Sequence, residues 1–216
     1  MQPLLFTSSH MPDWPWGQLQ PHAYDLVMID PPWHFALYSA KGEAKSPQAH
    51  YGTMSLAEIK GLRVRELLKP DAVVLLWATS PLLDKAFEVL AAWGVRYATS
   101  LVWVKTTVND KEAFGTGYRA RCAHEPILLA TVGEPETSRR HRSTIKGQVR
   151  EHSRKPEAAY TWAESYITRP ASGDPIRRAD VFSRQKRPGW DAWGDEVGKF
   201  GEVAVVNEQP ALEVMG

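Results

Sequence analysis

The sequence YDLVMIDPPW, residues 24–33, places an uninterrupted apolar segment directly before an acid and two prolines. A short run rich in Val, Leu and Ile is typical of a strand that is buried on both faces of a sheet. The two prolines fix φ and remove two backbone donors, so the chain must leave the sheet as a stiff, extended segment. The stretch therefore predicts a buried strand over residues 24–30 that delivers the Asp30 carboxylate to the sheet edge.

Strand-like and helix-like patterns alternate along the rest of the chain. A capping box of Ser55 and Glu58 predicts a helix to about Leu68, and prolines 81 and 156 begin two further helices. Apolar runs rich in β-branched residues predict the other strands, at residues 72–79, 95–105, 125–131 and 179–183, with 203–206 as a candidate sixth. The alternation predicts an α/β fold.

Three segments fit neither pattern, namely residues 34–53, 106–123 and 132–155. Long segments without regular structure are usually functional or mobile in a compact domain, so we interpret all three as loops. In an open α/β sheet, ligands bind beyond the carboxyl ends of the strands. Asp30 is therefore expected at a ligand-binding edge.

Composition narrows the class of protein. The chain has 216 residues, of which 43% are hydrophobic and 24% charged, close to the globular average, and this excludes disorder, collagen and coiled coil. We expect a single domain over residues 1–216, with a core at about 13–206 and a short acidic tail. The longest apolar run, residues 72–78, is far below the ~18 residues of a membrane span. With no visible signal peptide and one cysteine, Cys122, a cytoplasmic protein without disulfides or a zinc cage is expected.

Positive charge is concentrated in one segment although the net charge is only +1. Residues 139–155 hold seven basic side chains against one acid, Glu151. Such a cluster predicts a surface that binds nucleic-acid phosphates, and the alternative is a solvated loop. Nine tryptophans supply flat side chains that pack in a core or stack on bases. The predicted nucleic-acid contacts in the basic segment are Arg139, Arg140, Arg142, Lys146, Arg150 and Arg154.

The tetrapeptide Asp30-Pro31-Pro32-Trp33 has the groups needed to recognise an exocyclic amine. The Asp30 carboxylate and the Pro31 carbonyl are acceptors, and the Trp33 ring is expected to present a flat surface to a flipped base. Accepting both N–H groups of an adenine amine draws its nitrogen towards a tetrahedral geometry, in which the lone pair can attack a methyl group. Positioning and electrostatics then supply most of the rate acceleration. The alternative is an ordinary proline turn after a strand.

Further motifs occur in a fixed order along the chain. They are YGTMS at 51–55, WVKT at 103–106, GTGY at 115–118 followed by HE at 124–125, HSRKP at 152–156, FSR at 182–184 and RPGWDAWG at 187–194. Together with the tetrapeptide, this order resembles the MT-A70 family of adenine methyltransferases. The resemblance runs from about Asp13 to Glu196, which is most of the chain.

The resemblance implies a Rossmann-like methyltransferase fold, with a central, mostly parallel sheet and helices on both faces. It also implies S-adenosyl-L-methionine as methyl donor and no metal. Asp30, Pro31, Pro32 and Trp33 match the catalytic tetrapeptide, and Tyr51 matches a loop residue near the target base. The implied donor contacts are Asp13 and Trp14 at the adenine, Asp30 and Lys155 at the methionine end, and Arg184, Lys186, Asp195 and Glu196 around the ribose.

Two of these matches depart from the family pattern, and others have simpler interpretations. The family often has Asn at the position of Asp195, and residues 185–187 align only loosely because the loop around them varies in length. Lys155 is otherwise one more solvated charge. The remaining conspicuous residues are interpreted structurally: Trp77 and Trp103 as core, Gly115 and Gly117 as turn formers, and His124 and Glu125 as residues that order the adjoining loop.

The sequence thus predicts methylation of the exocyclic amine of adenine in a nucleic acid, by an enzyme that works alone, as a homodimer or with a partner subunit. DNA is favoured because the chain is compact and shows no appended RNA-binding module. The alternatives are an RNA adenosine methyltransferase, a non-catalytic nucleic-acid-binding subunit of the same family, and an enzyme that methylates cytosine.

Overall fold

A seven-stranded, mostly parallel sheet forms the centre of the computed structural model, which describes residues 13–34, 52–117, 119–151, 154–169 and 174–203. Within these residues the strand order is β6-β3-β4-β2-β1-β8-β9, and only β4 runs antiparallel to its neighbours. The elements are β1 (Tyr24–Ile29), α1 (Leu56–Lys60), β2 (Leu68–Trp77), α2 (Leu83–Ala92), β3 (Arg96–Thr106), β4 (His124–Val132), β5 (Glu136–Thr137), β6 (Thr144–Gln148), α3 (Glu157–Tyr166), β7 (Ile167–Arg169), β8 (Arg178–Val181) and β9 (Asp191–Trp193). The strands β5 and β7 pair with each other in a separate two-stranded sheet. This architecture confirms the predicted α/β, Rossmann-like fold.

The central strand β1 is buried along its whole length. Its side chains alternate between the two faces of the sheet. Val27 and Ile29 join the hydrophobic cluster that contains residues of α1 and α2, whereas Leu26 and Met28 join the cluster that contains residues of α3. Helices therefore cover both faces of the sheet, as predicted. Because both faces of β1 are buried, its sequence is apolar and does not alternate with polar residues.

The antiparallel direction of β4 decides which residues meet at the edge of the sheet where β1 ends. Because β2 is parallel to β1, Trp77 at its carboxyl end lies on the same edge as the end of β1. Trp77 pairs with Ile127 near the amino end of β4. As a result, the first residues of β4, His124 and Glu125, lie at the edge where β1 delivers Asp30.

The first helix, α1, is shorter than the sequence predicts. Ser55 and Glu58 form the predicted capping box, but α1 ends at Lys60 and not near Leu68. The reason is pairing: the carbonyl of Leu67 accepts from Tyr24 N, and Leu68 pairs with Tyr24 as the first residue of β2. Strand pairing with the core therefore overrides the helical pattern.

Two strands depart from the predicted bounds. β2 begins at Leu68, earlier than the predicted residue 72, and β8 ends at Val181 because Phe182 turns to a φ of 61°. Four further strands were not predicted, namely the short pair β5 and β7 together with β6 and β9. β6 lies inside the segment interpreted as a loop over residues 132–155, and β9 extends the sheet beside β8. Of the candidate strand at 203–206, only residue 203 lies within the described residues. No helix among the described residues is long and apolar enough to cross a membrane.

Candidate active site

A buried lysine joins two carboxylates at the edge of the sheet. Asp30 follows β1, Glu125 lies in β4, and Lys155 lies just before α3. The Lys155 ammonium is 3.1 Å from Asp30 Oδ2 and 3.2 Å from Glu125 Oε2. Lys105 approaches the other Glu125 oxygen, Oε1, at 3.5 Å. Four charged groups from four different elements therefore form one alternating network, in which each carboxylate has a cationic partner.

Two tryptophans form the floor beneath this network. The Lys155 ammonium is 4.8 Å from the centroid of Trp77, and the Lys105 ammonium is 4.9 Å from that of Trp103. The two rings meet edge to face, with centroids 6.1 Å apart. Both are buried core residues, as predicted from their positions in strands. They also stabilise the lysines, because an ammonium over an indole face gains cation–π attraction.

The network shifts the pKa of three of its four members. Burial raises the pKa of Asp30 above the ordinary carboxyl range, although the Lys155 ammonium opposes this shift. Burial also acts to raise the pKa of Glu125, but Lys155 and Lys105 outweigh it and hold that pKa below its usual range. For Lys155, burial acts to lower the pKa, and the attraction to Asp30 and Glu125 raises it instead. Lys155 is therefore a stable cation, and Asp30 is the carboxylate that is more easily protonated.

The structure corrects the expected role of Trp33 in the tetrapeptide, whereas the role of the Pro31 carbonyl stays a prediction. The Trp33 side chain is only 5% exposed, packs in the cluster that contains α1 and α2, and donates from Nε1 to the carbonyl of Trp77 at 3.1 Å. It therefore does not present a flat surface. The Pro31 carbonyl already accepts from Trp33 N at 2.8 Å, and the Pro32 carbonyl accepts from Met54 N at 2.9 Å. The tetrapeptide is tied to the core by these bonds, which hold Asp30 in place.

The turn after β8 forms the opposite wall of the cleft. Arg184 in this turn pairs with Glu196, with Nε 3.1 Å from Oε2. The turn is held against β9, because Ser183 N donates to the carbonyl of Trp193 at 2.9 Å. Gly194 is required there, since a Cβ at its φ of +150° would come within 3.0 Å of the Phe182 backbone.

A buried hydrogen-bond network beneath this turn centres on Asp180. The Tyr160 hydroxyl donates to Asp180 Oδ2 at 3.0 Å, and Ser183 Oγ lies 2.8 Å from the same oxygen. Ser183 Oγ is also 2.8 Å from the carbonyl of Gln185. Burial raises the pKa of Asp180 to about 6, against the hydrogen bonds from Ser183 and Tyr160, which lower it. Asp180 therefore changes its charge near neutral pH.

These groups line one cleft, and three of the residues that line it each carry a buried N–H donor with no hydrogen-bond partner among the described residues. The donors are Trp77 Nε1, Arg154 Nε and Arg187 Nε. A buried donor without an acceptor costs free energy, so a ligand that brings acceptor oxygens is favoured here. The described residues that line the cleft are Asp30, Trp77, Arg154, Lys155, Tyr160, Asp180, Phe182, Ser183, Arg184, Gln185 and Arg187.

The predicted donor-binding residues divide into two groups. Asp30, Lys155 and Arg184 line the cleft, and Glu196 reaches it through Arg184. The others do not line the cleft. The Asp13 carbonyl accepts from Arg63, Trp14 donates to Leu19, Asp195 is exposed, and Lys186 lines a separate groove with Arg177 and Asp191. Their part in donor binding stays a prediction, and Tyr51 lies outside the described residues.

The basic segment is split between two places. The backbone beside Arg139, Arg140 and Arg142 is fastened to the end of α3, where Ser138 N donates to the Tyr166 carbonyl at 2.8 Å. Because α3 has ten residues, this end lies about 15 Å from the end beside Lys155. The remaining predicted contacts are closer to the cleft: Lys146 is exposed on β6, Arg150 pairs with Glu157, and Arg154 pairs with Glu151. One continuous phosphate-binding loop is therefore not formed, and the role of each residue in binding stays a prediction.

Sequence reasoning did not assign Glu125, Tyr160 or Asp180 to the site. Glu125 was interpreted as a residue that orders a loop, and nothing in the local sequence places it beside Lys155. The acid inside an otherwise apolar strand was a usable signal for Asp180, because a buried carboxylate needs partners. The described residues contain no group of three or more His, Cys, Asp or Glu side chains that could hold a metal ion.

Comparison with known proteins identifies the relatives of this chain. A family model described as MT-A70 matches residues 24–196. The chain is 28% identical over 190 residues to the N(6)-adenosine-methyltransferase MT-A70-like protein of Arabidopsis thaliana, an alignment that covers 86% of the chain and 25% of the relative. It is 25% identical over 199 residues to the N(6)-adenine-specific methyltransferase METTL4 of Homo sapiens, which covers 83% of the chain and 39% of the relative. The chain is also 25% identical over 199 residues to the type II methyltransferase M.MunI of Mycoplasma sp, an alignment that covers 83% of the chain and 80% of the relative. The chain spans about a quarter of the length of its plant relatives.

Proposed function

Because this chain belongs to the MT-A70 family, we propose that it transfers a methyl group to the exocyclic N6 amine of adenine in a nucleic acid. The observation that carries the proposal is the Asp30 carboxylate at the end of β1, in a cleft that also holds Lys155 and three unpartnered N–H donors. The printed names of the relatives support adenine as the target base.

Asp30 acts on the target amine. Its carboxylate accepts an N–H from adenine, which orients the nitrogen and makes its lone pair available to an electrophilic methyl group. The Pro31 carbonyl still has a second lone pair to offer, since a carbonyl oxygen accepts two hydrogen bonds. After transfer, the nitrogen must lose a proton, and this proton passes to Asp30 or to water. The raised pKa of Asp30 favours its acting as the acceptor.

S-adenosyl-L-methionine is the methyl donor in this proposal, and it supplies a methyl group on a positively charged sulfur. The residues of the cleft fit its polar groups. Lys155 offers a cation for a carboxylate, and Arg184 with Glu196 offers a donor and an acceptor for ribose hydroxyls. The unpartnered N–H groups of Trp77, Arg154 and Arg187 need acceptor oxygens, which the same ligand brings.

DNA is the polymer that we propose first, with RNA as the alternative. The type II methyltransferase among the relatives is aligned over most of its length, whereas the plant N(6)-adenosine-methyltransferases are aligned over about a quarter. We therefore give the type II methyltransferase more weight in choosing the polymer. A non-catalytic role is the second candidate, but Asp30 of the tetrapeptide and Lys155 both line the cleft, as an active enzyme requires.

The test is to incubate the purified protein with labelled S-adenosyl-L-methionine and matched duplex DNA, single-stranded DNA and RNA. The polymers are then digested and the labelled nucleoside is identified. Label on N6-methyladenine supports the proposal and identifies the polymer. Asp30→Ala is the inactive comparison, and Asp84→Asn, an exposed carboxylate on α2, is the matched control. Donor binding without label on any polymer indicates a missing partner subunit or an unoffered target sequence. Absence of donor binding favours the non-catalytic subunit, and label on cytosine contradicts the choice of base.

A further inference from the structure

The loop between β3 and β4 carries the two most exposed large hydrophobic side chains among the described residues. Val108 and Phe114 are each 80% exposed, whereas the next most exposed, Val149, is at 47%. The loop covers residues 107–123, and Tyr118 within it lies outside the described residues. An isolated hydrophobic side chain at a protein surface is ordinary, so the case for a ligand rests on what lies around Phe114.

Backbone hydrogen bonds hold this β3–β4 loop in one conformation. Ala113 N donates to the Lys105 carbonyl at 2.8 Å, and Gly115 N donates to the Cys122 carbonyl at 3.1 Å. Gly115 approaches the Cys122 carbonyl so closely that a Cβ would collide with it. Phe114 is therefore presented from a folded turn between these two contacts.

An arginine backs the exposed ring. The Arg121 guanidinium carbon lies 5.0 Å from the centroid of Phe114. Lys111 and Arg119 are exposed on the same loop, together with the acids Asp110 and Glu112. A flat ring beside a guanidinium plane matches the chemistry that stacks on nucleic-acid bases. A protein interface instead needs a contiguous apolar patch, and most described residues of this loop are charged, polar or small.

The loop also begins and ends at the catalytic edge. Lys105 precedes it and Glu125 follows it, and these two side chains lie 3.5 Å apart. Glu125 contacts Lys155, which contacts Asp30. Both ends of the β3–β4 loop are therefore anchored near Asp30, the residue proposed to bind the target adenine.

We propose that Phe114, supported by Arg121, stacks on an unpaired base that neighbours the target adenine. The inference rests on the proposed function, because it takes the ligand to be the polymer that is methylated. Stacking on any base face is tolerant of sequence, so Phe114 contributes to affinity and to the placement of the strand rather than to base identity.

The experiment measures binding of a single-stranded oligonucleotide that contains one adenine flanked by 2-aminopurine. Phe114→Ser is expected to weaken binding about 5- to 100-fold and to abolish the stacking-dependent quenching of 2-aminopurine fluorescence. Phe114→Trp is expected to retain both the oligonucleotide affinity and the quenching of fluorescence. Val108→Ser is the matched control, because Val108 is equally exposed on the same loop, and it is expected to bind within about twofold of the unmodified protein.

Three outcomes overturn the inference: affinity and quenching unchanged in Phe114→Ser, equal losses in Phe114→Ser and Val108→Ser, or a change of oligomeric state with unchanged polymer affinity. The last of these assigns Phe114 to a protein interface. Calorimetric donor binding by Phe114→Ser verifies that the variant is folded. The proposed function fails separately: an unmodified protein that binds the oligonucleotide through Phe114 but transfers no methyl group contradicts the reaction and leaves the stacking inference standing.

Discussion

The ammonium of Lys155 lies 3.1 Å from the carboxylate of Asp30, so the residue proposed to bind the donor is paired with the residue proposed to bind the target amine. Glu125, at 3.2 Å, offers the lysine a second partner. When Asp30 turns to an incoming adenine, Lys155 can therefore keep a buried counter-charge. This sharing matters because an unpaired charge in a buried site is strongly destabilising.

Replacing Asp30 with alanine is expected to reduce methyl transfer by at least about 10²- to 10³-fold, the usual cost of losing one preorganised hydrogen-bonding group. Donor affinity is expected to change little, because Asp30 contacts mainly the target. Single-turnover transfer measures the first effect and calorimetry the second. Substantial residual methylation would remove Asp30 from the reaction.

Replacing Lys155 with methionine is expected to raise the donor dissociation constant about 10- to 100-fold, because a hydrogen bond from a charged group is lost. Lys105→Met is the control. Lys105 also pairs with Glu125 but does not line the cleft. The affinity of the Lys105→Met variant for the methyl donor should therefore remain unchanged. Calorimetry on both variants makes the comparison, and equal donor affinity in the two would exclude Lys155 from the donor site.

The raised pKa of Asp180 predicts that the free energy of unfolding depends on pH. Its pKa is raised from 3.8 to about 6, so the folded protein binds this proton more tightly than the unfolded chain. The stability from this group is present below pH 4 and is lost as the pH rises through 6, by roughly 3 kcal/mol in total. The groups that face Asp180 are Tyr160 and Ser183, which donate to it, together with Arg187 and Asp30.

Asp180→Asn removes this titration. Urea unfolding between pH 4 and 8 should show the variant gaining stability relative to the unmodified protein as the pH rises from 4 to 6, with a constant difference above 7. Ser183→Ala keeps the carboxyl group and should retain a pH dependence. A difference between Asp180→Asn and the unmodified protein that does not vary with pH would contradict the assignment.

Replacing Arg139, Arg140 and Arg142 together with glutamine tests the remote part of the basic segment. If all three contact phosphates, the slope of log K against log salt should become shallower by about 2 to 3, and polymer affinity should fall. Donor affinity should not change, because the segment is fastened to the far end of α3. Anisotropy titrations at several salt concentrations measure the slope, and an unaltered slope would make the segment an ordinary solvated loop.

Local patterns in the sequence determined the strand that ends in Asp30, the capping box of Ser55 and Glu58, and the α/β class. These features depend on hydrophobicity, proline and hydrogen bonds between near neighbours in the chain, so a short window contains the whole cause. The order of the motifs also identified the family, which the comparison over residues 24–196 confirms.

Only the tertiary structure decided which charges meet. Glu125 reaches Lys155 because β4 runs antiparallel to β2, and Trp33 is buried because the cluster around α1 and α2 has room for its ring. The basic segment is divided because β6 pairs with β3 while the residues before it pack on the end of α3. Pairing and packing join residues that are far apart in the chain, and their free energy is set by both partners together. No window of sequence contains both partners, so this part of the site could be found only in the folded protein.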